Sequence, residues 1–274
     1  MSEDIVLVET NEDETVDTII LNRPEKKNAI NRALSQGIHD AIDKVVTTKS
    51  RVVVITGTDE FFSSGVDLTQ LTGGDSSQKD KISDISNPSV IRYYTSTYTQ
   101  ETYNKIERLE KPVIAKISGY CFGMGFELTL ACDFRFCLES STFWMTETKV
   151  GIIPDVGGTT RLTNLVGIPN ANDIILRARR FDGNEAYRLG VVHGVAKTKE
   201  ELDAMVQECI DDLIDSAPIA VGMGKRLIKA VYGKDTYHGL ELEALVNSQL
   251  FETKDVKVGV IARLQKKKPQ WKGK

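Results

Sequence analysis

Two acidic side chains stand in apolar surroundings, where an acid is costly to place, and a third lies beside a Gly-Gly turn. Glu127 lies between Phe126 and Leu128 in the run Gly123-Met124-Gly125-Phe126-Glu127-Leu128-Thr129-Leu130-Ala131. Glu147 closes the run Phe143-Trp144-Met145-Thr146, and Asp155 sits in Gly151-Ile152-Ile153-Pro154-Asp155-Val156-Gly157-Gly158. An unpaired carboxylate in apolar surroundings is strongly disfavoured. Two carboxyls in such settings suit acid–base chemistry at neutral pH, because desolvation lifts their pKa values toward the working range. A structural use competes with this: Glu127 satisfied by N–H groups of its own helix start, and Asp155 as a cap on the turn at Gly157.

The flanking residues indicate what must hold these groups. Residues 111–120 (KPVIAKISGY) are β-prone and broken by Gly119, and they feed Gly123-Met124-Gly125 and a buried helix whose first turn would carry Glu127. A strand ending in a glycine-flanked helix start gathers free backbone N–H groups and the positive end of a helix dipole, a place that can hold an anion. Downstream, Thr159 or Thr160 is placed to cap a helix carrying Arg161 and Leu162.

The rest of the chain supplies a scaffold. Residues 5–8 and 16–21 flank the acidic turn Asn11-Glu12-Asp13-Glu14 and read as a β-hairpin. Asn28 or Asn31 can cap a helix to about Val46, with Leu34, Ile38, Ile42 and Val45 at helical spacing. Residues 51–56 form a short apolar strand of the kind buried on both faces of a parallel sheet. In Phe61-Phe62-Ser63-Ser64-Gly65-Val66-Asp67-Leu68 the serines lack the G-x-S-x-G context of an activated nucleophile. Residues 71–88 read as a surface loop and 89–109 as a Tyr-rich helix. A helix over 170–178 and a strand over 191–195 come next, then helices over 200–216, 217–231, 239–251 and 255–265. The organisation is a βα core over residues 1–197 and a helical region over 198–274, packed on the core or on a neighbouring subunit.

With 274 residues, 41% hydrophobic and 27% charged, the chain can bury a full-sized core. A net charge of −4 disfavours nucleic acid as the main partner, since phosphate binding draws on clustered Lys and Arg. Cys121, Cys132, Cys137 and Cys209 show neither C-x-x-C spacing nor a neighbouring histidine, which speaks for reduced packing residues and against zinc. His39, His193 and His238 fall on separate elements without metal spacing. The acidic N-terminus has no apolar leader core, no run reaches transmembrane length, and Lys272-Gly273-Lys274 is not a peroxisomal address; a cytoplasmic protein with no membrane partner is expected.

Taken in order, Asn22-Arg23-Pro24…Asn28-Ala29, the Phe62 to Leu68 loop, Gly119-Tyr120…Gly123-Met124-Gly125-Phe126-Glu127-Leu128…Ala131-Cys132-Asp133, Glu147…Gly151-Ile152-Ile153-Pro154…Gly157-Gly158-Thr159…Arg161-Leu162 and Gly190-Val191-Val192 resemble the crotonase (enoyl-CoA hydratase/isomerase) superfamily. The match runs from about residue 16 to residue 271. It implies an α/β fold, a spiral of ββα units, with a helical C-terminal region that assembles into homotrimers or homohexamers. It also implies an acyl-CoA thioester as substrate, with coenzyme A entering as part of the substrate and with no separate cofactor and no metal.

Carried over by position, the backbone N–H groups of Val66 and Met124 would form the oxyanion hole for the thioester oxygen. The family usually has a glycine where Met124 stands, so its side chain is expected to narrow the pocket. Glu127 and Glu147 together imply hydration of a 2-enoyl-CoA to a 3-hydroxyacyl-CoA, with water deprotonated for attack at C3 and a proton delivered to C2. Asp155 replaces a glycine typical of hydratases and points to the alternative, an enoyl-CoA or dienoyl-CoA double-bond isomerase using Glu147 and Asp155. Lys26, Lys27, Ser64, Gly65, Asp67, Leu68, Gly123 and Lys266 would meet the substrate and its coenzyme A; for the run Lys266-Lys267-Lys268 a solvated face is the competing use. Asp133 resembles a structural acid, Arg161 a brace, and Arg263 stands where many hydratases carry an aromatic near the acyl chain. A crotonase-like RNA-binding protein is the alternative from another class, and the acidic charge argues against it.

Overall fold

The computed structural model describes residues 4–71 and 87–274, so the surface loop expected over 71–88 falls almost wholly outside the described residues. The chain opens with the expected hairpin, β1 (Val6–Thr10) and β2 (Val16–Leu21). α1 (Arg32–Val46) is capped by Asn31, whose side chain accepts from the Leu34 amide at 2.8 Å. Asn28 has another use. It is buried at φ +51°, and its side chain accepts from Arg23 N and donates to the carbonyls of Phe61 and Phe62, fastening the turn after β2 to that segment.

The chain then winds so that each turn gives one strand to each of two sheets. β3 (Val52–Thr56) is followed by β4 (Phe61–Ser63), β5 (Val113–Ile117) by β6 (Tyr120–Phe122), and β7 (Phe134–Leu138) by β8 (Thr142–Trp144). Helices α2 (Leu68–Leu71), α3 (Pro88–Tyr94) and α4 (Gln100–Arg108) lie between the first and second pairs, and α5 (Gly123–Ala131) between the second and third. α6 (Thr163–Ala171), β9 (Phe181–Asp182), α7 (Gly183–Arg188) and β10 (Gly194–Ala196) complete the spiral. The larger sheet has the order β1-β2-β3-β5-β7-β10 and the smaller β4-β6-β8-β9; only β1 and β9 run antiparallel to their neighbours.

The β3 and β5 strands are apolar on both faces because the larger sheet is covered on both. Val53, Ile55, Ala115 and Ile117 face the main core with residues of α1, α4 and α5, while Val52, Val54 and Ile114 pack against Leu202, Val206 and Ile210 of α8 (Lys199–Ile214). Three more helices complete the chain, α9 (Pro218–Val231), α10 (Thr236–Phe251) and α11 (Lys254–Leu264). The buried Lys225 of α9 meets Asp133 at 2.7 Å and the carbonyls of Ile106 and Lys111, so Asp133 pins α9 to the core. No helix among the described residues is long and apolar enough to cross a membrane.

Some elements depart from the sequence reading. The strand expected over 191–195 is limited to β10, because Gly190 at φ +75° and the bond from Val191 N to Ala186 O still close α7. The helices expected over 89–109 and 170–178 contain wide π-type turns at Thr95–Thr99 and Asn172–Leu176. α5 begins at Gly123, which puts Glu127 in its second turn rather than its first.

Candidate active site

Three parallel strands of the smaller sheet end side by side, and the segments leaving their carboxyl ends form the site. After β4 comes Ser64-Gly65-Val66, after β6 Gly123-Met124, and shortly after β8 Glu147. Ligands commonly sit at this carboxyl end of parallel strands.

The turn after β4 is tightly held. The Ser63 hydroxyl donates to Asn28 O at 2.8 Å and accepts from Gly65 N at 3.2 Å, a bracing use that leaves it no nucleophilic one. Ser64 N donates to Lys27 O and Asp67 N to Ile30 O. The Val66 amide between them donates no hydrogen bond among the described residues. Gly65, at φ +91°, comes so near the next turn that a Cβ there would lie 3.1 Å from Phe122 O and 3.6 Å from Gly123 Cα. Met124 is the second residue of α5, where a helix has no carbonyl to offer the N–H. Its own carbonyl accepts from the Tyr103 hydroxyl at 3.0 Å. The Met124 side chain is partly buried and packs against the main core.

Glu127 is buried, 1% exposed, and its Oε1 accepts from Val156 N at 2.8 Å and Gly158 N at 2.7 Å. These donors belong to the Gly-Gly turn and not to its own helix start, which corrects the structural reading. Burial pushes its carboxyl up to about 8, with Glu147 and Asp155 adding and the two amides opposing. Glu147 lies in a short turn, Glu147–Val150, closed by Gly151 at φ +84°. Burial pushes its carboxyl up too, against the amides of Glu147 and Thr146, and Oε2 is buried without a hydrogen-bond partner among the described residues. Its Oε1 abuts Gly123, where a Cβ would lie 2.6 Å from it.

Asp155 is exposed, in a hollow of about 390 Å³ shared with Ile91, Arg92, Thr95 and Gln100. Atoms packed around the hollow push its carboxyl up, opposed by its own amide and the Thr95 hydroxyl. Its side chain does not cap the turn at Gly157, which is held by Glu127 and Arg161 instead. Neither Thr159 nor Thr160 caps a helix: Gly157, at φ +110°, leads into a wide turn, Gly158–Leu162, and Thr159 donates to Pro154 O. Arg161 braces this turn through Val156 O, Asn104 and Glu107.

The remaining candidates divide. Lys26 and Lys27 are exposed beside the first turn, with the Lys27 ammonium over the Phe61 ring at 5.5 Å. The Asp67 carboxyl is committed to Arg23 at 2.8 Å, which holds it below the usual carboxylate range, and Leu68 is exposed. Lys266 and Arg263 are exposed around the end of α11, and no contact within the chain joins Lys266 to Lys26 or Lys27 among the described residues. His39 faces Thr102 and Lys105, while His193 accepts from Arg135 N. Among the described residues no three His, Cys, Asp or Glu side chains are grouped to hold a metal. A larger cleft of about 670 Å³, lined by Val46, Lys111, Leu213, Pro218 and Trp271, contains none of the site residues expected from the sequence.

Fold and site together define an acid–base enzyme built as a spiral of ββα turns. The enoyl-CoA hydratase/isomerase family model matches residues 11–274, and the chain belongs to that family. It is 32% identical over 97% of its length to the peroxisomal Delta(3,5)-Delta(2,4)-dienoyl-CoA isomerase of Arabidopsis thaliana, covering 95% of that protein. It is 34% identical over 93% of its length to the carnitinyl-CoA dehydratase of Salmonella paratyphi B, covering 94% of that protein. Among solved structures, the enoyl-CoA hydratase of Bacillus anthracis superposes with a TM-score of 0.88 at 32% identity, over 98% of this chain and 100% of that one.

Proposed function

We propose that the protein adds water to a 2-enoyl-CoA to give a 3-hydroxyacyl-CoA. The carrying observation is a buried carboxyl pair, Glu127 and Glu147, beside two backbone amides, Val66 and Met124, that are left unbonded among the described residues. In this reading the thioester oxygen accepts from both amides. One carboxylate takes a proton from water as its oxygen bonds to C3, and the C2–C3 π electrons move through the carbonyl to make an enolate. The enolate then reforms the carbonyl while C2 takes a proton from the other carboxyl. Glu147, against Gly123 and next to the Met124 amide, faces C2; Glu127, fixed in the Gly-Gly turn, holds the water. Fixed donors at a developing oxyanion are worth about 3 to 4 kcal/mol each. The chemistry calls for no metal or redox cofactor, because the amides meet the charge and the carboxyls move the protons.

Lys26, Lys27, Ser64, Gly65, Asp67, Leu68 and Gly123 lie on the turns that carry Val66 and Met124 or are bonded to them, and would receive the coenzyme A part. For Lys266 the reading is a reach from a neighbouring subunit, since among the described residues no bond within the chain ties it to Lys26 or Lys27. Exposed Leu245, Phe251 and Leu264 on α10 and α11 support assembly into a homotrimer or homohexamer through the region 198–274. The free cysteines fit a reducing, cytoplasmic setting.

The charge of Asp155 raises both glutamates, which favours a second reading. Glu147 and Asp155 would remove and return a proton along one acyl chain, as befits a relative named a dienoyl-CoA isomerase. Incubation with crotonyl-CoA, a 3-enoyl-CoA and a 3,5-dienoyl-CoA separates the two. Loss of the conjugated thioester absorbance with the first means hydration; its appearance with the second, or a red shift with the third, means isomerisation. No change with any of them refutes both.

A further inference from the structure

We propose that α4 sets the two halves of the site in register, with Arg161 and Tyr103 as its positioning residues. Arg161 reaches back across the wide turn Gly158–Leu162. Its Nη1 donates to Val156 O at 2.9 Å, and its Nη2 to Asn104 Oδ1 at 2.7 Å and Glu107 Oε2 at 3.0 Å, both on α4. The guanidinium fills the space a side chain at position 157 would need, since a Cβ on Gly157 would lie 1.9 Å from Nη1. Arg161 grips the Val156 carbonyl, and so fixes from α4 the Val156–Gly157 peptide that lies between the two peptides presenting the Val156 and Gly158 N–H groups to Glu127.

Tyr103 lies four residues before Glu107 and so on the same helix face. It is fully buried, and its hydroxyl donates to Met124 O at the start of α5. One face of one helix therefore holds a carbonyl in each half of the site: Val156 O behind the Glu127 donors, and Met124 O behind the amide assigned to the thioester oxygen. The kinetic consequences rest on that assignment, but the effect on Glu127 does not.

The test is titration of Glu127 by ¹³C NMR of side-chain-labelled glutamate, its resonance assigned by loss in Glu127→Gln, together with steady-state kinetics. Two amide bonds favour the ionised carboxyl. Arg161→Gln, which loosens the turn, is expected to move the midpoint upward from that of the parent protein. It should lower kcat roughly tenfold to hundredfold, with KM changed less than about threefold. Arg161→Lys should recover part of both, and Glu107→Gln should shift both in the same direction. Glu101→Gln, on the same helix and paired outward with Arg108, should move neither. Tyr103→Phe should lower kcat and leave the Glu127 midpoint in place.

An unmoved Glu127 midpoint in folded Arg161→Gln overturns the proposal, as does an equal shift in Glu101→Gln. If Arg161→Gln does not fold, Glu107→Gln carries the same decision. If the parent protein converts no enoyl-CoA but the midpoint still moves, the catalytic assignment fails and the positioning role stands.

Discussion

Glu147 and Gly123 compete for the same space: a Cβ at position 123 would come within 2.6 Å of Oε1. The glycine is also held at φ +47°, where L side chains are strained. It is therefore the wall that fixes the carboxyl, while the residue after it supplies the Met124 amide. Gly123→Ala is expected to lower kcat about a hundredfold by shifting the carboxyl, and to cost about 1 to 3 kcal/mol of stability through backbone strain. Steady-state kinetics and thermal unfolding check this, and an active, equally stable variant would show that the contact does not hold the carboxyl.

The two buried glutamates both titrate above their ordinary range, Glu127 at about 8. Because they influence one another, the pair loses its protons in two steps that belong to both. Hydration needs one proton on the pair and one site empty. Activity should accordingly fall at low pH, as the second proton binds, and again above about pH 8, as the last one leaves. A profile of kcat/KM from pH 5 to 10 that stays flat across the region near 8 would contradict this.

The same shift has a stability consequence of opposite sign to catalysis. The folded pKa of Glu127 lies above its ordinary 4.5, so the folded chain binds more protons than the unfolded one between 4.5 and about 8. Its favourable contribution is complete below the lower value and is lost as pH rises through the higher one. Glutamine can accept the same two amide bonds without a charge. Glu127→Gln should therefore be inactive yet more stable than the parent, by an amount that grows from pH 5 to pH 8.5 and reaches a few kcal/mol at most. Melting curves at the two pH values decide it; a stability gain larger at pH 5 would mean that the buried charge is not the cause.

What could be read from the residues is what local rules write into them. The hairpin, the Asn31 cap and the apolar β3 strand stem from turn chemistry and periodicity, and the unusual acids at 127, 147 and 155 stand out as charges in apolar runs. The partners of Glu127 do not, because they are amides 29 and 31 residues away whose donors carry no side-chain signature. The same holds for the Val66 N–H, since an amide left unbonded is a property of the surrounding turns. The wide turns at 95–99, 158–162 and 172–176 escape helical periodicity because each is a single turn, too short to show a period of its own. For Tyr103 and Glu107 the one available hint is their i, i+4 spacing on a polar helix. Lys266 shows the converse: a lysine run resembles a ligand contact in sequence, yet among the described residues of this chain it joins nothing at the site.

Asp155 separates the two reactions open to this site. Hydration as proposed would use Glu127, Glu147 and the two amides, while Asp155 stands exposed in the hollow beside Thr95 and Gln100. Its charge raises both glutamates, so Asp155→Asn should move the hydration profile slightly toward lower pH and leave kcat within about threefold. Isomerisation in contrast needs a second group to return the proton further along the chain, and loss of a positioned acid or base typically costs about 10²- to 10⁴-fold. Crotonyl-CoA and 3,5-dienoyl-CoA assays on this variant should thus diverge by about two orders of magnitude. Equal damage to both would mean that Asp155 acts through the shape of the Gly-Gly turn that holds Glu127, since that turn serves either reaction.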